Sequence, residues 1–306
     1  MSDTTAKQPF LRELGHRVTD LVARGIIRLA MAMPLHRRVR FFGWVIENVI
    51  GPLAGYRRRA ETHLAKAFPD MPAAERSRIA RQSLNNVGRS LIENYSKEDF
   101  LPYMARFQPE GPGFAALKEA HAAGRPVILQ SGHFGNYEAV RAALFAHGIE
   151  PGGIYREMSN RHFHEHYVMT MLGWGGPGFP RGPKGMRGVI KFLKGGGQLI
   201  ILNDQHEFGA PVLDFLGHPA HTTLSPAELA LRFDAVTIPY FGIRQPDGLS
   251  FRCILEEPIA HSDPLTMTQE MNDRLGKRIM DNPEQWFWVP RRWRDTATEM
   301  AGQKDD

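Results

Sequence analysis

The residue types best placed for chemistry lie in Gln130-Ser-Gly-His-Phe-Gly-Asn-Tyr-Glu138, a segment that follows an apolar run, breaks at two glycines and enters a helix-like pattern. His133 falls in the turn and Glu138 in the first helical turn. Five positions apart across such a junction, an imidazole and a carboxylate can meet. The carboxylate then fixes the ring tautomer and stabilises the imidazolium formed when the ring takes a proton. This is general-base chemistry, and it needs no serine or cysteine nucleophile if the substrate brings its own hydroxyl. The exposed N–H groups of Gly135 and Asn136, at the entrance of the helix, are placed to face developing negative charge. Taken singly, each residue also has a plainer reading. Glu138 would be a first-turn carboxylate complementing the helix dipole, worth about 0.3–1 kcal/mol, and His133 a polar turn residue.

Other chemistries fit less well. Arg161-His-Phe-His-Glu-His-Tyr167 resembles a metal-binding run, but His166 and Tyr167 stand where an H-x-H-x-D-H site needs Asp and His. On a helix His162 and His166 share a face while His164 points elsewhere, so a solvated or substrate-facing histidine helix is expected and no metal. No G-x-S-x-G elbow occurs, and Ser131 precedes the turn a nucleophile would occupy. Residues 173–197 hold ten of the 30 glycines without a phosphate-loop or dinucleotide fingerprint, and Pro177, Pro180 and Pro183 interrupt them. That stretch reads as an irregular surface loop whose Arg181, Lys184 and Arg187 are available to an anionic ligand. Trp286, Trp288 and Trp293, with Arg291, Arg292 and Arg294, read either as an interface belt or as strand-end packing.

The elements that must position these residues alternate. Apolar runs at 126–131, 153–155, 198–203 and 235–241 read as strands, and helical patterns at 137–147, 160–172, 184–194 and 225–233 lie between or beside them. A turn at Gln245-Pro-Asp-Gly248 makes 249–256 the second strand of an edge hairpin. The fold class is therefore α/β: a mixed, largely parallel sheet flanked by helices, with functional loops beyond the carboxyl ends of the strands. Helices at 60–68 and 73–95 lead into it. The single cysteine, Cys253, excludes an internal disulfide framework and reads as a buried strand residue.

At 306 residues, 42% hydrophobic and 23% charged, the composition is that of a globular protein, large enough for one extended α/β domain or two domains. The formal charge of +5 is unevenly spread: residues 1–60 carry a net +7 and the remainder −2. The basic character thus belongs to an N-terminal arm, and no nucleic-acid-binding motif accompanies it. The first ten residues are polar and no secretory signal is expected. No stretch offers the roughly 20 apolar residues of a spanning helix, because Arg24 and Arg28 interrupt the best candidate. On a helix over 13–33, Arg17, Arg24 and Arg28 cluster along one edge, opposite Val22, Ile26, Leu29 and Met33. Arg37, Arg38, Arg40 and Arg57-Arg58-Arg59 flank Phe41-Phe42-Gly43-Trp44. Two readings stay open: a helix lying in an anionic lipid interface, or one packed on the protein with a solvated basic face. Three segments follow: a basic amphipathic membrane-associating segment (1–60), an α/β domain with helical entry (61–296) and a frayed tail (297–306).

His133-Phe-Gly-Asn-Tyr-Glu138 resembles the H-x-x-x-x-[DE] signature of glycerolipid and lysophospholipid acyltransferases. In fuller context it resembles the H-F-G-N-W-E of the bacterial lipid A late acyltransferases, with Tyr137 in place of Trp. Tyr155-Arg156 followed by Asn160 is similar to that family's Y-R-P-x-x-N segment, although Glu157-Met158 replace its proline-containing continuation. Asn203-Asp204-Gln205 matches its D-Q block, and Pro283-Glu-Gln-Trp-Phe-Trp288 through Arg291-Arg292 resembles its C-terminal segment. The resemblance implies transfer of a fatty acyl chain from a thioester, of acyl-carrier protein or acyl-CoA, to a hydroxyl of a lipid A precursor. Another glycolipid or lysophospholipid acceptor, or a non-catalytic lipid-binding relative, is the alternative. It further implies His133 as general base with Glu138 as its partner, and Arg156 positioning a phosphate or the reacting carbonyl. Asn160, Asp204 and Gln205 would belong to the substrate site, alongside Gly135, Asn136 and Arg181. No cofactor, metal or nucleic acid is implied. The implied location is the cytoplasmic face of the inner membrane, and the interrupted N-terminal run makes the anchor monotopic.

Overall fold

The computed structural model describes residues 4–156 and 160–294. The replacement Glu157-Met158 and the tail from 297 lie outside the described residues. The chain begins with helices α1 (Thr4–Met31) and α2 (Leu35–Val45), a π-helical turn over Ile46–Ile50, a short α3 (Gly51–Leu53), α4 (Tyr56–Ala67), α5 (Ala73–Tyr95) and α6 (Lys97–Met104). Then α7 (Pro112–Ala122) enters the α/β part: β1 (Val127–Ser131), α8 (Tyr137–Phe145), β2 (Gly152–Tyr155), α9 (Arg161–Leu172), β3 (Gly178–Pro180), α10 (Pro183–Lys194) and β4 (Gln198–Leu202). A small hairpin of β5 (Val212–Phe215) and β6 (His218–His221) precedes α11 (Ser225–Phe233), β7 (Val236–Arg244), β8 (Phe251–Leu255) and α12 (Pro264–Asp281).

The main sheet has six strands in the order β3-β2-β4-β1-β7-β8, parallel throughout except for the β7–β8 hairpin. This is the α/β arrangement that alternating strand and helix patterns imply. β1 is buried at all five positions, as a central strand covered on both faces must be. One apolar core packs α6, α7 and α8 on one face of the sheet, and another packs α10, α11 and α12 on the other. Cys253 is buried in β8, where loss of solvation pushes its thiol up to about 12.

Three features depart from the sequence reading. The glycine-rich stretch read as irregular contains the edge strand β3, too short for any periodicity to register. Here Gly185 is required, because a Cβ would lie 1.6 Å from the Pro180 carbonyl oxygen. The hairpin β5–β6 and helix α12 also carry no part of that reading. α12 is nonetheless well marked: Asp263 caps it, its side chain accepting from the N–H groups of Leu265 and Thr266, with Pro264 at the first helical position.

The N-terminal helices share a core with α5: Ile27, Ala30, Val39, Phe42 and Ile46 pack with Leu84, Ile92 and Val289. α1 rests its polar edge on α9. Arg24 donates to Asp20 (2.8 Å) and to the His162 carbonyl (2.8 Å), and Asn160 donates to the His16 carbonyl (2.9 Å). Val18, Leu21, Val22 and Leu29 consequently face outward.

Candidate active site

Strand register assembles the site. β1 and β4 pair with Ser131 level with Leu202, so His133 and Asp204 each stand two residues beyond matched strand ends. β2 and β3 pair with Tyr155 level with Pro180, which sets Arg156 and Arg181 side by side one residue further on. All four therefore gather beyond the carboxyl ends of adjacent parallel strands, where α/β folds place ligands.

Asp204 is the carboxylate that His133 meets. Nδ1 of His133 donates to Oδ1 (2.7 Å) and its backbone N–H to Oδ2 (2.7 Å), while Trp286 Nε1 donates to Oδ2 (2.8 Å). An ionised carboxylate only accepts, so Nδ1 carries the ring proton and Nε2 keeps its lone pair. Gly132 makes the approach possible: a Cβ there would sit 3.0 Å from the Asp204 carboxyl carbon and 2.6 Å from Leu275. Burial alone would lower the His133 pKa, but the charge and hydrogen bond of Asp204 outweigh it and hold the imidazole above its ordinary value. Burial would raise Asp204. The His133 ring, its two hydrogen bonds and that of Trp286 hold the carboxyl below the usual range instead.

Glu138, the partner expected for His133, hydrogen-bonds to Arg141 one turn along α8 (3.2 Å), and both side chains are buried. Arg141 also donates to the Gly175 carbonyl (2.5 Å), tying the helix to the glycine-rich loop. The N–H groups of Gly135 and Asn136, expected to face substrate, are occupied: they donate to the carbonyls of Gln285 (2.8 Å) and Gly242 (2.9 Å). Gly135 adopts φ +55, and a Cβ would meet the Gly242 carbonyl oxygen at 2.0 Å. Only glycine fits. The Asn136 side chain caps α8, accepting from the N–H groups of Glu138 and Ala139, and donates to Glu93 (2.6 Å).

Asn160 does not reach the site. Its amide donates to α1, and its oxygen accepts from the Phe163 N–H at 3.3 Å, starting α9. Arg156 is exposed and lines a cavity with His133, and Arg181 lines the same cavity while ion-paired with Glu207. Gln205 lines it too, its amide nitrogen 3.4 Å from Nε2 of His133. This cavity, about 260 Å³, also takes in Thr223 and Ser225. A second cavity of about 220 Å³ is lined by Val87, Leu91, Tyr137, Tyr167 and Phe287 together with the polar Ser90, Asn94, Asn136 and Gln285. His133 is common to both.

Several contributing residues carry no signal in short motifs. Glu93 and Arg244 form a buried two-pronged ion pair (2.7 Å at each prong) beneath the turn. The Trp286 N–H bond to Asp204 hides within the C-terminal aromatic run, whose three tryptophans are all buried, so strand-end packing is the reading that holds. Arg292 is fully buried, donating to the His221 carbonyl (2.6 Å) and to Thr222 Oγ1 (2.5 Å), with burial lowering its pKa to about 10. In the histidine helix, His162 bonds to Glu13 (2.8 Å) and His166 lies against Tyr95. Among the described residues no cluster of His, Cys, Asp or Glu is arranged to hold a metal ion.

Fold and site together define an α/β protein with a carboxylate-oriented imidazole that lines two cavities, beyond the carboxyl ends of parallel strands. The chain belongs to the bacterial lipid A biosynthesis acyltransferase family, whose sequence profile matches residues 7–295. It is therefore an acyltransferase of lipid acceptors. It is 29% identical over 255 residues to the lipid A biosynthesis lauroyltransferase of Escherichia coli K12, covering 78% of this chain and 80% of that one. It is 24% identical over 302 residues to the phosphatidylinositol mannoside acyltransferase of Mycolicibacterium smegmatis, covering 92% of this chain and 93% of that one.

Proposed function

We propose that the protein moves a fatty acyl chain from a thioester, of acyl-carrier protein or acyl-CoA, to a hydroxyl of a lipid A precursor, with His133 as general base. The observation that carries this reading is the Nδ1 bond to Asp204, which leaves Nε2 as the ring's basic nitrogen on a residue that lines two cavities. The acceptor hydroxyl gives its proton to Nε2 as its oxygen attacks the thioester carbonyl. The intermediate collapses with loss of the thiolate, which takes the proton back from the imidazolium. Asp204 keeps the tautomer and stabilises the imidazolium. Glu138, locked to Arg141, fixes the start of α8 and so the turn that carries the base. The cavity with Arg156 and Arg181 suits the polar, phosphorylated end of the acceptor, because guanidinium groups match phosphate geometry. The aromatic and aliphatic cavity suits the acyl chain.

The basic segment 1–60 is the membrane-associating part in this reading, and 61–296 the transferase domain. No described helix is long and apolar enough to cross a membrane. The outward apolar row of α1 instead favours a monotopic anchor on an anionic surface, the cytoplasmic face of the inner membrane. A phosphoglycolipid of the mannoside type is a second acceptor reading, favoured by the near-complete alignment with the mannoside acyltransferase.

The test is acyl transfer to a tetraacylated lipid A precursor and to a phosphatidylinositol mannoside by wild type, His133→Ala and Glu138→Ala. Wild type should acylate the first. His133→Ala should lose about 10²–10⁴-fold in rate, and Glu138→Ala should lose activity together with thermal stability. A His133→Ala protein transferring at the wild-type rate ends the mechanism, and acylation of the mannoside alone selects the second acceptor.

A further inference from the structure

The attack at the thioester carbonyl puts negative charge on its oxygen, and a site without a donor for that oxygen forgoes a major part of the rate. The obvious donors are spent. The N–H groups of Gly135 and Asn136 donate to Gln285 and Gly242, the Trp286 indole donates to Asp204, and Arg181 is paired with Glu207. The hydroxyls of Thr223 and Ser225 bond to each other at 2.8 Å. The side-chain amide of Gln205 is differently placed. It is exposed, and its single side-chain hydrogen bond among the described residues is the long 3.4 Å approach to Nε2 of His133. Because Nδ1 holds the ring proton, Nε2 accepts and the amide donates. The amide therefore occupies the position the acceptor hydroxyl must take, with a weak bond that the hydroxyl displaces.

We infer that Gln205 is the oxyanion donor of the reaction: displaced from Nε2 by the incoming hydroxyl, its amide N–H turns to the thioester carbonyl oxygen. As the acceptor oxygen bonds to the carbonyl carbon and its proton passes to Nε2, the carbonyl π pair moves onto oxygen and takes the Gln205 hydrogen bond. When C=O reforms, the C–S bond breaks and the sulfur leaves with the proton from His133, giving an ester and a thiol. The bond strengthens as negative charge develops on that oxygen, so it contributes more in the transition state than in the ground state. Arg156, which lines the same cavity, is the competing donor.

This inference rests on the acyl-transfer reading, and the two fail separately. Gln205→Ala and Gln205→Glu are assayed with a dodecanoyl thioester donor and a tetraacylated lipid A precursor, beside wild type, Arg156→Ala and His133→Ala. Gln205→Ala should lower kcat about 10²–10³-fold, with both KM values within about twofold and the melting temperature unchanged, since the side chain is exposed. Gln205→Glu, which keeps the shape but offers no N–H, should be at least as slow. A Gln205→Ala protein with wild-type kcat overturns the inference, as does one altered only in KM. A kcat loss confined to Arg156→Ala gives the role to the guanidinium and overturns it too. Full activity of His133→Ala would instead sink the general-base reading itself.

Discussion

At the residue scale the site is one imidazole and the carboxylate behind it. In the proposed mechanism only neutral His133 takes a proton, so the rate should fall as pH drops through its pKa. Asp204 raises that value, so the acid limb of kcat/KM should lie above the 6.5 of an ordinary histidine. Asp204→Asn removes the charge and leaves burial unopposed. The limb should then move below its wild-type position while the rate falls by up to about 10⁴-fold, the scale of losing the orienting carboxylate of a catalytic triad. Paired pH–rate profiles test this, and a limb that the substitution does not shift refutes the role given to Asp204. The turn at His133 stood out by residue type, whereas the D-Q block stood out only through the family resemblance. Which carboxylate the ring bonds to was not legible. Glu138 is favoured by proximity in sequence, whereas Asp204 is brought in from 71 residues away by the β1–β4 register, and register is a property of two strands together. The same applies to Asn160, a polar residue whose partner on α1 no local pattern marks.

At the scale of elements, α5, β7 and the C-terminal segment grip the turn that carries His133. Ser90 donates to the Gly135 carbonyl (3.1 Å), and Phe287 N–H to the His133 carbonyl (2.9 Å). Arg244 spans Glu93 and Ser90, and Gln285 is bonded through its amide to the Arg244 backbone on both sides. Glu93 is the hub, since it also takes the Asn136 amide. Glu93→Ala should destabilise the fold by about 3–5 kcal/mol, because it strands a buried guanidinium. Glu93→Met with Arg244→Met should recover much of that loss in urea unfolding. A Glu93→Ala protein as stable as wild type would mean that water reaches Arg244. The strands and most helices were readable from apolar runs and periodicity. The short β3 and the β5–β6 hairpin were not, because three or four half-exposed residues carry no period of their own.

At the scale of the whole molecule, α1 inverts the plainer expectation for a basic amphipathic helix. Its wheel groups Arg17, Arg24 and Arg28, but Arg24 and the buried Asp20 face α9, and the side left outside is apolar, with Leu21 69% and Leu29 56% exposed. Arg17 and Arg28 flank that row in solvent. A face of this kind is stable in an acyl–headgroup boundary and costly in water. Leu21→Glu with Leu29→Glu should weaken sedimentation with anionic vesicles by about tenfold or more, since burying each leucine is worth roughly 1.5–3 kcal/mol. Co-sedimentation at the wild-type level would remove α1 from the interface. The wheel could be drawn from the sequence. Which side packs is decided by α9, and so became visible only in the folded chain.

The grip on the His133 turn also bears on how the protein is made. His133 precedes the groups that hold it and its carboxylate, which come from Gly242, Gln285, Trp286 and Phe287. A chain still emerging from the ribosome has His133 long before it has the indole that anchors Asp204 or the carbonyls that anchor the glycine turn. The contacts that hold the turn and the carboxylate are therefore completed only once Trp286 and Phe287 have been made, and a chain truncated ahead of Trp286 carries every residue of the H-x-x-x-x-E segment without them.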